Sequence, residues 1–180
     1  ETYLKLLHEL FNIVLIGLPL SGKSKYAKIL SKQMDKSLYD TDDKIEDYIE
    51  MPIPKYFEEN SEASFRKLET KIIREIYKSN NYIISTGGGI IENRINIDLL
   101  KQNGIIIFLN KDPEIIAKKE IIGRPLIKKS NDIFKLARKR KPLYIKYSDI
   151  IIDINNKAEY HIEELKEKID EYINNQWPKH

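Results

Sequence analysis

The sequence predicts an α/β fold, three layers deep, with helices on both faces of a parallel sheet, and three observations carry that expectation. Five short apolar runs recur, at residues 13–16, 37–39, 82–84, 105–109 and 150–152. Most are near-continuous Ile, Val and Leu without polar alternation, as a strand covered on both faces requires. The stretches between them are long enough for the crossover helices that parallel pairing demands.

Taken in order, the first run leads into Gly17-Leu18-Pro19-Leu20-Ser21-Gly22-Lys23-Ser24, a complete G-x-x-x-x-G-K-S. Such a loop turns its backbone N–H groups into a nest for phosphate oxygens. The following helix adds its positive end, Lys23 reaches the outer phosphates, and the Ser24 hydroxyl suits Mg²⁺. The helix itself is read over 24–35 from Tyr26, Ala27, Ile29 and Leu30 at helical spacing.

The second run ends in Asp40-Thr41-Asp42. If the strand continues, residues 40 and 42 point the same way, and both carboxylates face the phosphate cleft, one for Mg²⁺ and one for a hydroxyl. A turn with solvated acids is the competing reading, since Asp43, Glu46 and Asp47 follow. Residues 51–54 are read as irregular. Ser64-Phe65-Arg66-Lys67-Leu68-Glu69 opens an amphipathic helix with Arg66 and Glu69 three apart, either a positioned guanidinium or a surface ion pair.

The third run is followed by Thr86-Gly87-Gly88-Gly89, which permits close backbone approach to a ligand and leaves N–H groups for an anion. Beyond the fourth run, residues 122–131 hold Gly123-Arg124-Pro125 and read as a short basic flap that brings Arg124 onto a phosphoryl group when it closes. A basic helix precedes Arg140-Lys141-Pro142-Leu143-Tyr144. The last helical pattern, about 157–174, covers the sheet. His8, His161, His180 and Trp177 lie outside every motif and receive no role.

Composition bounds the function. In 180 residues, 31 Lys and Arg stand against 28 Asp and Glu, a net charge of +3, with 41% hydrophobic and 33% charged residues. That suits one domain over 1–180 with a core at about 12–154, and gives no concentrated basic footprint for nucleic acid. The absence of cysteine excludes a disulfide scaffold, a thiolate zinc site and a cysteine nucleophile. No apolar run approaches the roughly 20 residues of a membrane span. The expectation is a soluble, cytoplasmic monomer acting on small molecules. Only six of the basic residues are Arg, so each hints at a need for a planar fork.

A phosphate loop leaves GTPases, ATPases and kinases open. Asn110-Lys111-Asp112-Pro113 places its Asp one residue too early for guanine reading, and no glycine has Asp three residues before it. A kinase or an ATP-driven binding module remains.

The ordered set G-x-x-x-x-G-K-S, D-T-D, F-R-x-L-E, T-G-G-G, R-P-L and R-x-P-L-Y, over about 12–154, resembles the shikimate kinases. The resemblance implies a P-loop kinase fold with a five-stranded parallel sheet in the order 2-3-1-4-5 and a short lid. It implies transfer of the γ-phosphoryl group of ATP to shikimate, with Mg²⁺, in aromatic biosynthesis. By the same resemblance Leu20, Ser21, Gly22, Lys23, Ser24 and Lys25 with Arg124 hold ATP, and Ser24 and Asp40 serve Mg²⁺. Asp42 binds the acceptor hydroxyl and acts as base. Arg66, Glu69, the strip Gly87, Gly88 and Gly89, and Arg140 form the acceptor pocket, with Lys23, Asp42 and Arg124 catalytic.

The chemistry of the residues agrees, since a polyhydroxylated carboxylate calls for paired Arg and an Asp. Leu20 stands where the family usually has Gly, Lys25 where it has Ser or Thr, the span from Arg124 to Arg140 is short, and Lys118 and Lys119 replace an adenine-stacking Arg. A kinase of another hydroxylated acid such as gluconate, and a regulatory ATP-binding module without turnover, are the alternatives.

Overall fold

The computed structural model describes residues 2–118, 130–156 and 158–176. Lys119, Arg124 and nearly all of the expected flap lie outside the described residues, as do Trp177 and His180.

Five parallel strands, β1 (Asn12–Ile16), β2 (Ser37–Asp40), β3 (Tyr82–Ser85), β4 (Gly104–Asn110) and β5 (Ile150–Asp153), form one sheet in the order β2-β3-β1-β4-β5. The central strand β1 pairs Val14 with Ile84 on one side and Ile106 on the other. All five of its residues are buried, as an unalternating apolar run predicts. The edge strands differ. Leu38 and Ile151 are exposed, so at β2 and β5 only one face is covered. Apolar continuity in residues 150–152 reads as burial on both sides, but an edge strand has a neighbour on one side only and less helix above it.

The pleat divides the apolar residues between two cores. Ile13, Leu15, Ile83, Ile105 and Ile107 face α1 (Thr2–Leu10), α2 (Lys23–Gln33) and α9 (Ala158–Gln176), meeting Leu7, Leu30, Leu165 and Ile169. Val14, Ile16, Ile84, Ile106 and Phe108 face the other way. They meet α3 (Thr41–Ile49), α5 (Glu62–Ile76), α6 (Arg94–Lys101), α7 (Pro113–Ala117) and α8 (Ser130–Tyr147) through Ile45, Ile73, Ile97, Ile116 and Tyr144. At about 25 cal/mol per Å² of apolar surface, these two sandwiched layers supply most of the drive to fold.

Local signals place the helix ends. Ser61 caps α5 by accepting from the Ser64 N–H at 3.1 Å, so the helix starts before the Ser64 of the sequence motif. Part of 51–54, expected to be irregular, opens α4 (Ile53–Glu59), with Pro54 in the first turn where its missing N–H costs nothing. Pro142 lies inside α8, so Arg140 and Tyr144 project from that helix and do not follow it.

The helix α1 was not anticipated. His8 ties it to α9 through Asp170 at 2.7 Å, a structural role for a histidine that the sequence left without one. Lys36 is buried too, and donates to the carbonyls of His8 and Phe11 at 2.5 and 2.9 Å and to Asn81 Oδ1 at 3.0 Å. Burial pulls its pKa down to about 8, against the attraction of Glu9.

Candidate active site

The carboxyl ends of β1, β2 and β3 converge, and the loops that leave them build two adjoining regions. The loop after β1 supplies a backbone cradle. Gly17 and Gly22 have φ of 154° and 100°, and a side chain at Gly17 would meet the Leu109 carbonyl at 2.7 Å. Leu20 also sits in the left-handed region, at φ 63°, a conformation that costs an L side chain roughly 1–2 kcal/mol. The chain thus keeps at residue 20 a backbone shape suited to Gly, while half-burying the Leu side chain against the core.

Lys23 is buried and donates to the carbonyls of Gly17 at 2.8 Å and Leu18 at 2.7 Å, so its ammonium is held over the loop by the loop's own backbone. Ser21 is fully buried at the turn, and Lys25 is exposed one residue beyond Ser24. The Ser24 hydroxyl donates to Asp40 Oδ2 at 2.7 Å and lies 3.4 Å from Ser85 Oγ. Hydroxyl and carboxylate together are hard oxygen donors. Among the described residues no three His, Cys, Asp or Glu side chains form a cage, so this pair fits a cation that brings most of its ligands as phosphate and water oxygens.

The alternation expected for Asp40 and Asp42 does not occur. β2 stops at Asp40, whose carboxylate caps α3 by accepting from the Asp42 and Asp43 N–H groups at 3.0 and 3.4 Å. Capping exploits two otherwise unsatisfied donors, which a continued strand would not. Asp42 therefore belongs to the first helical turn. It still faces the glycine strip: a methyl group placed on Gly87 would lie 2.8 Å from Asp42 Oδ1 and 3.2 Å from Glu69 Oε1.

Each glycine of the strip has its own neighbour. Gly87 admits Asp42 and Glu69, Gly88 lies against Pro19 of the phosphate loop, where an added carbon would come within 2.7 Å of Cδ, and Gly89 lies under the Arg66 guanidinium. Close approach on all three sides is what the run of glycines allows. Not every N–H is left for an anion, as the sequence suggested. That of Gly87 donates to Thr41 Oγ1 at 3.0 Å, because the strip must first be anchored to α3. The Gly88 carbonyl accepts from the buried Tyr144 hydroxyl at 2.6 Å, and Tyr144 stacks on Phe108 with centroids 5.0 Å apart.

Arg66 donates to Glu69 Oε2 at 2.7 Å and to Glu62 Oε1 at 2.9 Å. Arg140 is 2% exposed, and among the described residues its Nε has no partner, nor has Glu69 Oε1. Arg138, two residues away, is exposed and lines a separate groove with Phe134 and Ile145. Of the two arginines, only Arg140 turns into this site.

The sequence missed Glu92, in the 3₁₀ turn Ile90–Glu92, which accepts from Arg140 Nη2 at 3.0 Å, lies 3.4 Å from Arg66 Nη2, and pairs with Lys139. No spacing rule pointed to it, because its arginine partners lie on two other helices.

The electrostatics follow from burial. Desolvation pushes the Glu69 carboxyl up to about 7, with Asp42 adding to the rise and Arg66 and Arg140 opposing it. Burial also works against the charge of Arg66, but Glu69 and Glu62 outweigh it and hold the guanidinium above its ordinary pKa. Glu92 resists desolvation through Lys139, Arg140 and Arg66, which keep it below the usual carboxylate range. Burial pushes the Tyr144 hydroxyl well above its ordinary value, so it serves as a donor.

The arrangement sets the glycine-turned loop and its Lys23 beside a cluster of two guanidiniums and an aspartate. Residues 19–173 match the family model described as shikimate kinase. A curated shikimate kinase of Caldicellulosiruptor bescii is 41% identical over 138 residues, 74% of this chain and 80% of that protein. One from Bacillus mycoides is 38% identical over 164 residues, 89% of this chain and 99% of its own. A solved shikimate kinase from Acinetobacter baumannii, in complex with shikimate, superposes with a TM-score of 0.86 at 29% identity, covering 98% of this chain and 99% of that one.

Proposed function

We propose that this chain, which belongs to the shikimate kinase family, uses the charged side chains gathered at the glycine strip, beside the phosphate loop, to carry out that family's reaction. It is an ATP-dependent kinase that phosphorylates shikimate. The observation that supports this site best is the convergence on residues 87–89 of Asp42 from α3 and of Arg66 and Glu69 from α5, directly against Pro19 of the phosphate loop.

On this reading the backbone N–H groups of residues 20–25 and the Lys23 ammonium receive the phosphates of ATP. Lys23 exchanges its Gly17 and Leu18 carbonyl partners for phosphate oxygens. Ser24 and Asp40 would hold Mg²⁺, which supplies charge neutralisation for the phosphates when bound. Arg66 and Arg140 hold the acceptor's carboxylate, and Glu69 fixes Arg66 from below. Asp42 accepts a hydrogen bond from the acceptor 3-hydroxyl, orients its oxygen toward the γ-phosphorus, and takes the proton as the new P–O bond forms and the bond to the ADP oxygen breaks. Because the transition state is loose, positioning and charge carry most of the acceleration.

Arg124, outside the described residues, is assigned by its R-P-L motif to the transferring phosphoryl group. Mg²⁺, the cytoplasm and a monomeric state belong to the same proposal. Among the described residues no helix is long and apolar enough to cross a membrane.

The deciding assay is ADP release with Mg·ATP and, at equal concentrations, shikimate, quinate, gluconate or no acceptor. Release with shikimate alone is expected. Release with gluconate in preference would keep the kinase and overturn the pocket, and ATP binding without any acceptor-dependent release would favour a regulatory module.

A further inference from the structure

The two arginines assigned to the acceptor carboxylate already hold one. Glu92 Oε2 sits 3.0 Å from Arg140 Nη2 and 3.4 Å from Arg66 Nη2, so a single oxygen bridges guanidiniums that come from α8 and α5. Its other oxygen, Oε1, pairs with Lys139. Arg66 and Arg140 are 17% and 2% exposed, whereas Lys139 is 65% exposed and free to follow the carboxylate toward solvent. Glu92 itself lies on a three-residue turn and is 14% exposed.

We propose that Glu92 is an internal stand-in for the substrate carboxylate, held across Arg66 and Arg140 until shikimate displaces it, and that it thereby sets the affinity of the pocket. This rests on the reading that these two arginines bind the acceptor. Three features fit. The bridge uses the same forked donors that a bidentate carboxylate would take, and two carboxylates on one pair of guanidiniums repel each other. Among the described residues Arg140 Nε is buried without a partner, a donor that Glu92 leaves unused. Lys139 gives Glu92 a partner to keep once it lets go, so displacement needs a side-chain swing and no movement of the sheet or helices. The gain for the free enzyme is that the buried Arg140 keeps a carboxylate partner, while Arg66 has Glu69 and Glu62 in either state.

The exchange also makes the pocket selective. A neutral acceptor cannot take over the guanidiniums and leaves Glu92 where it is, whereas a carboxylate substitutes for it. Glu92 acts on the substrate only through the two arginines and is a positioning residue.

The test is steady-state kinetics of the full chain and Glu92→Gln with shikimate and with its carboxamide analogue. The expected result is a KM for shikimate at least threefold lower in the variant, kcat within twofold, and no matching gain with the carboxamide, which has no charge to compete. Thermal melting gives a second readout: without shikimate Glu92→Gln melts lower than the parent, and shikimate raises its melting temperature by more. Should Glu92→Gln fold poorly, Glu92→Ala is read the same way. An unchanged or raised KM in a folded variant overturns the stand-in and makes Glu92 a fixed support of the arginines. Failure of the underlying reading looks different, since the parent enzyme itself would then show no turnover with shikimate.

Discussion

The two halves of the site are built on opposite plans. The phosphate side is a short stretch of backbone, in which residues 17–24 fold on themselves, with left-handed φ at Gly17, Leu20 and Gly22 and Lys23 tethered to carbonyls five and six residues back. The acceptor side is an assembly of side chains from α3, α5, the turn Ile90–Glu92 and α8, in which Arg140 finds its carboxylate 48 residues away in the chain. A site made of backbone depends on local conformation and tolerates most side chains that keep the turns. A site made of buried, paired charges is coupled through its pairs, because removing one member changes the charge balance of its partners.

Substitutions can break or sharpen that contrast. The largest effect is expected for Asp42→Asn, which leaves ATP binding intact, as measured by titration, while lowering kcat at least ~100-fold, the scale of a lost positioned base. Near-normal turnover would remove Asp42 from the mechanism. Arg140→Lys comes next. Losing the fork costs about 1.5–3 kcal/mol, and the KM for shikimate should rise about 10–100-fold with the KM for ATP unchanged. A rise in both would mean that the two halves are not separate.

Glu69 offers a pH test of the acceptor side alone. Its carboxyl is raised from an ordinary 4.5 to about 7. Between those values the folded protein holds a proton that the unfolded chain has released, so this residue's contribution to stability falls as pH rises from about 4.5 to about 7, and is level above that. Denaturant melts across the range should show the decline in the parent and a flatter profile in Glu69→Gln. A decline that persists in Glu69→Gln would assign it to another group.

The smallest effect is at the seam. Gly88→Ala presses a carbon against Pro19, where neither neighbour is a flexible side-chain end, at a cost of about 1–3 kcal/mol in melting stability. Since Gly88 touches the phosphate loop and also receives the Tyr144 hydroxyl, this variant should raise the KM for ATP and for shikimate together.

How much was legible in advance follows the same division. Tyr144 was visible as part of a motif, but nothing in the spacing said that its hydroxyl would hold Gly88. The positions of Asp40 and Asp42 were anticipated on the right side of the sheet for the wrong reason. A period-2 strand was expected, and the helix cap won because Asp40 satisfies two N–H groups at once. Glu92, Lys36 and the His8 contact to Asp170 carried no local signature at all.

The sequence by itself determined the parallel sheet, the phosphate loop, the run of glycines and the family, because those are written in near-neighbour patterns: apolar continuity, glycine spacing and motif order. Only the tertiary structure decided which of Arg138 and Arg140 turns inward, that β2 and β5 keep an exposed face, and that Glu92 sits across the two arginines. Those outcomes turn on which groups are brought together and stripped of water by packing between distant segments. The strength of a charge pair depends on that burial far more than on the residues beside it in the chain.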